Sequence, residues 1–179
     1  MLSDNDIIAS LLLHKSEGTL RPDDIISQSD TKPLALSDIS QAEERLGFDL
    51  PPLLRRVYTE VANGGFGESY GFLGLVGGPL NEDEQDAVAL YLELRQPDPN
   101  DSHWGWPEGL LPLGQLGCGM YHCVQCGDPD SPIVWFEPNP HVAGYPWDDS
   151  FLAFCPSLRG YLFAWLDGTD LWETLADDV

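Results

Sequence analysis

Basic residues are scarce in this sequence. Its 179 residues include 8 lysines and arginines against 30 aspartates and glutamates, which gives a formal net charge of −22 at pH 7. Such a charge repels nucleic acid and anionic membranes, and it attracts basic partners at long range. The composition therefore argues against a protein that binds nucleic acid or a membrane surface. Solubility or adaptation to high salt explains the same charge, so the charge alone names no partner.

The sequence also lacks a long apolar run and an export signal. The stretch 68–80 is rich in glycine and is interrupted by Pro79, whereas a membrane-spanning helix needs about 20 apolar residues. The N-terminal segment places acids before its apolar residues and has no basic region, unlike a signal peptide. We therefore expect a cytoplasmic protein whose four cysteines are reduced.

The cysteines do not complete a metal site in the sequence. Cys123 and Cys126 have the spacing of a zinc knuckle and His122 is adjacent, but no second pair of ligands follows. If this segment is a strand, Cys118, His122 and Cys126 share one face and Cys123 lies on the other. We therefore expect buried thiols, no metal and no other cofactor.

Catalytic motifs are missing as well. There is no Gly-x-Ser-x-Gly motif, and His122 and Cys123, as neighbours on a strand, point apart. The glycines between 71 and 78 do not have the spacing of a nucleotide-binding loop, and the acids that follow them repel phosphate. Adjacent acids such as Asp148 and Asp149 are expected by chance in so acidic a chain. Such pairs could also serve as the catalytic carboxylates of a hydrolase, which is one alternative function.

Residues 36–65 carry the clearest helical pattern. Ser37 can cap a first helix, and Gly47 can end it because a residue without Cβ takes the left-handed conformation at little cost. The prolines at 51–52 suit the first turn of a second helix. The apolar positions of the two helices are Ile39, Ala42, Leu46, Leu53, Leu54, Val57, Tyr58 and Val61. We expect residues 63–65 to end the second helix, with at least one glycine at positive φ.

The remaining pattern predicts an α+β fold. The other predicted elements are a helix capped by Ser3 or Asp4, a short strand within 66–76, a helix over 82–95, strands at 110–113, 119–125 and 133–137, and a helix over 158–165 ended by Gly168. Asn81 and Glu84 form a capping-box signal at the start of the 82–95 helix. Residues 151–154 suit a strand or a helix start, and the apolar residues of 171–175 continue the last helix. We predict a single domain over 1–179, with a central antiparallel sheet flanked by helices.

The order of these motifs resembles the SUKH superfamily of Smi/Knr-type domains. The resemblance spans about residues 37–168. Its motif positions are Leu46, Gly47, Leu50, Pro51, Tyr58, Asn63, Gly64, Gly65, Gly117, Cys118, Trp165 and Gly168. Each motif alone is short and apolar or glycine-rich, so the order and spacing of the motifs carry the resemblance.

The resemblance implies a non-enzymatic bacterial immunity protein that binds and neutralises a cognate toxin, often a nuclease. An acidic partner suits the basic groove with which a nuclease holds phosphates. The resemblance equally allows a regulatory or scaffold module that binds other cellular proteins. It leaves the identity of the partner and the oligomeric state open.

Two segments are candidates for partner binding. The first is the acidic run Glu82, Asp83, Glu84 and Asp86, which can steer a basic partner. The second is the aromatic set Trp104, Trp106 and Trp147, because aromatic anchors dominate binding energy at interfaces. The alternative for the tryptophans is a structural lid that packs on the sheet.

Overall fold

A computed structural model describes residues 3–22, 31–169 and 171. Its helices are α1 (Asp4–Ser16), α2 (Leu36–Leu46), α3 (Pro52–Arg56), α4 (Ala87–Leu94) and α5 (Leu158–Leu166). Its strands are β1 (Leu110–Gly117), β2 (Met120–Gln125), β3 (Ile133–Phe136) and β4 (Phe151–Cys155). A π-helical turn, Val57–Val61, continues α3, and a 3₁₀ turn, Asp148–Ser150, precedes β4.

The four strands form one open antiparallel sheet in the order β1-β2-β3-β4. Each strand pairs with its neighbour in sequence. Residues 118–119 join β1 to β2 as a tight turn, whereas residues 137–150 join β3 to β4 as a longer loop. Helices pack around this sheet: α4 lies against β1, α1 against α5 and the π-helical turn, and α2 against α4. The predicted α+β class, with an antiparallel sheet flanked by helices, is confirmed.

One apolar core joins the helices to the sheet. Ile7, Leu11, Leu54 and Tyr58 are fully buried on the helical side, together with Tyr161 of α5. Their spacing along α1 and along the α3 segment follows the helical period, which directs them to one face. The predicted apolar positions of residues 36–65 are all buried.

The N-cap of α2 differs from the sequence prediction, whereas two other capping residues agree with it. Ala35, not Ser37, is the N-cap of α2, and the carboxylate of Asp38 accepts the N–H of Ala35 at 3.2 Å. Gly47 ends α2 with φ +81°, as predicted. The side chain of Ser3 caps α1 and shares a capping box with Asp6, as the sequence allowed.

The glycine pair after the second helix has a different role from the predicted one. The π-helical turn ends at Val61, and Ala62 is already extended. Gly64 and Gly65 do have positive φ values of +76° and +81°. A Cβ on Gly64 would lie 2.5 Å from the Leu73 carbonyl oxygen. Glycine is therefore required because two backbone segments approach closely, and not because a helix ends there.

One predicted element is wrong, and another begins later than predicted. Residues 66–76, all of them described, form no strand. They bind β1 through an isolated bridge between Phe72 and Gly114 and through the Tyr70 N–H, which donates to the Gln115 carbonyl at 3.2 Å. The predicted helix over 82–95 begins only at Ala87, with Asp86 as its N-cap. The acids at 82–84 therefore lie in a turn before the helix.

The end of the chain agrees with the prediction where it is described. Residues 151–155 are the strand β4, and α5 ends before Gly168, which has φ +73°. Leu171 is buried. The predicted helical continuation through Trp172 and Leu175 lies outside the described residues.

Candidate partner-binding surface

A cluster of five aromatic rings lies on one face of the sheet. Phe136 of β3 and Phe151 of β4 have ring centroids 5.2 Å apart, and Trp106 packs edge-on against Phe136 at 4.9 Å. Trp104 and Trp147 meet edge-on at 4.9 Å. The three tryptophans come from two loops that are about 40 residues apart in sequence, so the fold brings them together.

Each indole N–H in this cluster is used inside the protein. Trp104 donates to the Leu94 carbonyl at 3.0 Å, and Trp106 donates to the Leu110 carbonyl at 2.7 Å. Trp106 is only 2% exposed, so it offers no surface to a partner in this conformation. Trp104 and Trp147 are partly exposed. The cluster packs on the sheet as a structural lid would, and only its outer rings reach the surface.

Asp101 ties the two aromatic loops together. Its Oδ2 accepts the indole N–H of Trp147 at 2.8 Å, and its Oδ1 accepts the backbone N–H of His103 at 2.9 Å. Both hydrogen bonds lower the pKa of the Asp101 carboxyl, and the bond from the Trp147 indole has the larger effect. The ring of His141 stacks on Trp147 with centroids 3.6 Å apart, and its Nε2 lies 3.6 Å from Oδ2 of Asp101. This carboxylate therefore fixes the orientation of Trp147.

The acidic segment is an exposed turn built on Asn81. The Asn81 side-chain oxygen accepts the backbone N–H groups of Asp83 and Gln85 at 3.1 and 2.8 Å. Glu82, Asp83 and Glu84 are exposed. Asp86 instead serves the fold: its carboxylate accepts the N–H of Ala89 in α4 and the N–H of Gly77.

The structure brings the acidic turn and the aromatic cluster to the same face. Tyr121 of β2 lies opposite Phe136 of β3, and side chains of opposite residues share a face. The side-chain amide of Asn81 donates to the Tyr121 hydroxyl at 3.3 Å. Burial raises the pKa of Tyr121, and the nearby charges of Asp83 and Glu82 raise it further. The buried Tyr121 therefore links the acidic turn to the aromatic cluster. We call the exposed carboxylates of this turn and the rings of the cluster together the acidic–aromatic face.

Sequence reasoning missed the most exposed apolar side chains near this face. Tyr145 is 66% exposed and Val142 is 61% exposed, both on the loop that carries His141 and Trp147. An aromatic residue between Gly144 and Pro146 is the sequence signal that could have indicated them. A glycine and a proline hold such a residue in a loop, outside the core.

Burial suppresses the ionisation of two thiols, Cys123 and Cys126, and of the buried His122. Burial raises the pKa of the Cys126 thiol to about 12, and it raises the pKa of Cys123 as well. Burial also lowers the pKa of His122 to about 3, and its Nδ1 lies 3.0 Å from the Tyr161 hydroxyl. The prediction that Cys118 shares a strand face with His122 is wrong, because Cys118 lies in the exposed turn before β2.

No cluster that could hold a metal ion is found in the described part of the chain. Within residues 3–22, 31–169 and 171, no group of three or more His, Cys, Asp or Glu side chains could hold a metal ion. Asp148 and Asp149, the adjacent acids considered for a hydrolase, are both exposed. Glu43 is buried, but its carboxylate accepts the N–H of Leu50 at 3.0 Å and pairs with Arg55. Asp148 and Asp149 therefore contribute surface charge, and Glu43 stabilises the fold.

Comparison with known families identifies the fold. The SMI1 / KNR4 family (SUKH-1) matches residues 33–163, which is more than two thirds of the chain. The chain belongs to the SUKH-1 family. The resemblance read from the motif order is therefore confirmed. SUKH-1 domains generally bind partner proteins, and the family is generally one of non-enzymatic immunity proteins.

Two further findings concern this SUKH-1 chain. No curated protein matches its sequence. In the described residues, no helix combines the length and the apolarity that crossing a membrane requires.

The motif residues of this SUKH-1 chain lie at core positions and at tight turns. Leu46, Leu50 and Tyr58 are buried, and the Tyr58 hydroxyl donates to the Leu73 carbonyl at 3.0 Å. Asn63 joins two segments, because its side-chain oxygen accepts the N–H of Leu75 at 2.8 Å while its amide donates to the Val76 carbonyl. The other motif positions are the N-cap residue Pro51, the partly buried Trp165, and six residues with positive φ: Gly47, Gly64, Gly65, Gly117, Cys118 and Gly168.

Proposed function

We propose that this SUKH-1 chain is a non-enzymatic immunity protein that binds a cognate, basic protein toxin and blocks its active site or substrate path. Membership of the family supports protein binding as the general role. The acidic–aromatic face carries the specific proposal, because it joins free carboxylates to partly exposed aromatic rings. A regulatory or scaffold module that binds other cellular proteins is the alternative outcome of the tests below.

The carboxylates of the acidic turn are free to act on a partner. Glu82, Asp83 and Glu84 are exposed, and no cation in the described residues forms an ion pair with them. With a net charge of −22 over the chain, their field adds to that of the whole surface. Such a field raises the rate of encounter with a basic groove more than it raises affinity.

The aromatic part of the face supplies area that a partner can desolvate. Trp104 and Trp147 are partly exposed, and Tyr145 is largely exposed. Truncating a tyrosine or tryptophan that fills a pocket on the partner typically costs ~2 kcal/mol or more of binding free energy. We assign the dissociation rate to these rings and the association rate to the acids. The protein would act in the cytoplasm as a single domain over residues 1–179.

Binding kinetics across a salt series test this assignment. Where a neighbouring gene encodes a toxin domain, that domain is the probe, in a catalytically inactivated form. We expect the association rate to fall steeply as salt rises and the screening length shrinks from ~10 Å at 0.1 M, while the dissociation rate changes less. A double change of Glu82→Lys and Glu84→Lys should slow association.

A matched control keeps the total charge equal. Changing Glu17 and Glu44 to lysine alters the net charge by the same amount. Both residues are exposed, Glu17 as the C-cap of α1 and Glu44 on α2, rather than on the acidic–aromatic face. We expect this control to slow association less. Equal effects of the two double variants would mean that only net charge matters. An absence of binding by the wild type, or of a toxin gene, would favour the regulatory module.

A further inference from the structure

The two edges of the sheet differ in how they are covered. Along β1, the preceding segment of the chain binds the edge: Leu73 donates to the Leu113 carbonyl at 2.8 Å, and Gln115 donates to the Gly71 carbonyl at 3.0 Å. Along β4, no described segment other than β3 forms a strand pair or a bridge. The β4 edge is therefore open within the described part of the chain.

The register shows which backbone groups this edge presents. Glu137 donates to the Ser150 carbonyl at 2.9 Å, so this carbonyl faces β3 at the end of the β3–β4 ladder, while the Ser150 N–H donates to the Trp147 carbonyl. Hydrogen-bonded pairs alternate along an antiparallel ladder. Leu152 therefore directs its backbone groups toward β3, and Ala153 directs its N–H and C=O away from the sheet. The Ala153 side chain is exposed as well.

The side chains along β4 do nothing to block another strand. The strand reads Phe151-Leu152-Ala153-Phe154-Cys155, without a charge or a proline, and Leu152 is 40% exposed. Natural proteins usually protect an open edge with charges, proline or a bulge. Here the register shift leaves Phe154 unpaired directly after Ala153, and the first proline, Pro156, follows the strand. The regular part of the edge therefore runs from Phe151 to Ala153.

The acidic residues at both ends of β4 favour a basic segment as the partner of this edge. Asp148 and Asp149 are exposed just before β4, and Asp130 lies near Pro156 beyond its other end. Arg159, the cation of that region, is paired with Asp4 at 2.7 Å. A second copy of the chain would bring two net charges of −22 together, whereas a basic segment meets carboxylates at both ends of the strand.

We propose that the partner of the acidic–aromatic face adds an extended, basic segment to β4 as a fifth strand. This docking mode rests on the proposed function. The aromatic cluster and the edge are continuous, because Phe151 begins β4 and packs against Trp106 at 5.4 Å. Main-chain hydrogen bonds to Ala153 supply affinity in strand addition, and the flanking acids set the preference for basic residues.

Ala153→Pro is the direct test, because it removes the outward N–H without touching the ladder to β3. Proline is tolerated on an edge strand where its N–H would face solvent. With the inactivated toxin domain as the probe, we expect the dissociation constant to rise at least about tenfold, as for a lost hydrogen bond and a displaced strand. Ala153→Thr keeps the N–H and suits a strand. This control should bind within about threefold of the wild type.

A second measurement does not depend on the variant folding. Amide hydrogen exchange of Ala153 in the wild-type chain should be fast in the free protein and strongly slowed in the complex. An Ala153 amide that stays unprotected in the complex overturns the docking mode, as does an Ala153→Pro variant that binds like the wild type. Either result leaves the proposed function standing, provided that the wild type still neutralises the toxin.

Two further outcomes distinguish a second copy of the chain on β4 from a failure of the proposed function. If the free wild type sediments as a dimer and Ala153→Pro as a monomer, a second copy covers β4 and the proposal is wrong. If the wild type neither binds nor neutralises the toxin domain, the proposed function fails, and this docking mode fails with it.

Discussion

Gly64→Ala is expected to destabilise the protein more than Gly47→Ala. The φ values of the two glycines are similar, +76° and +81°, so an alanine at either position takes a left-handed conformation at a cost of about 1–2 kcal/mol. Their surroundings differ. A Cβ on Gly47 would meet no heavy atom within 4 Å, whereas a Cβ on Gly64 would lie 2.5 Å from the Leu73 carbonyl oxygen and 2.6 Å from that of Phe72.

These two oxygens cannot move aside independently. The Tyr58 hydroxyl and the N–H of Gly65 donate to the carbonyls of Leu73 and Phe72 at 3.0 and 2.8 Å, and Leu73 in turn donates to the Leu113 carbonyl. A new methyl group therefore forces the whole segment to shift, and overpacking of this kind costs about 1–3 kcal/mol. Together with the conformational cost, we expect a loss of about 2–5 kcal/mol for Gly64→Ala, against about 1–2 kcal/mol for Gly47→Ala.

Urea unfolding followed by tryptophan fluorescence measures both losses. For a domain of this size, each kcal/mol also lowers the melting temperature by roughly 2–4 °C, so calorimetry gives an independent reading. Gly47→Ala is the matched control, because it changes the same residue type at nearly the same φ. If the two variants lose equal stability within about 0.5 kcal/mol, which is the usual error of such differences, the argument from close approach is wrong.

Two further predictions concern titration and metal. The folded pKa of His122 is about 3, below the unfolded value of about 6.5, so the unfolded chain binds the extra proton. The stability that His122 contributes is therefore present above pH 6.5 and lost as the pH falls toward 3, at up to about 1.4 kcal/mol per pH unit. A His122→Gln variant should show a flatter stability curve between pH 6.5 and 4.5, and an unchanged slope would contradict this assignment. Protein purified without chelator should hold no stoichiometric zinc, because Cys123 is buried within β2 and Cys126 follows the end of that strand; one zinc per chain by elemental analysis, lost with Cys126→Ser, would overturn this prediction.

Periodic segments of the fold could be predicted from the sequence. The apolar spacing of residues 39–61 placed all of these side chains in the core, and Gly47 ended α2 where a residue without Cβ was expected. The change to strand spacing after residue 110 indicated the sheet. These signals are local, so they need no knowledge of what packs against them.

Side-chain capping misled the prediction at the start of α4. Asn81 was expected to cap a helix, and its side-chain oxygen does accept two backbone N–H groups. It closes a turn instead, since Asn side chains serve turns and helix starts with the same hydrogen bonds. Asp86, five residues later, is the cap of the helix. Local sequence does not distinguish the two cases.

The candidate surface depended on contacts that no local pattern contains. Asp101 holds Trp147, which is 46 residues away in sequence, and Tyr121 connects the acidic turn to the aromatic cluster. Strand register and loop packing decide both contacts. The same holds for the open edge of β4, because residues 151–154 also suited the start of a helix.

The internal use of the indole N–H groups changes what the tryptophans can do for binding. The indole N–H groups of Trp104 and Trp147 each donate a hydrogen bond within the protein. Trp147 is held by this bond to Asp101 and by stacking against His141. Removing either ring would therefore disturb the loops as well as any contact with a partner. Tyr145 lies on the same loop and is 66% exposed, so it can enter a partner without breaking the cluster. The tryptophans then act as the rigid support of this loop, and a rigid support lowers the entropy lost on binding.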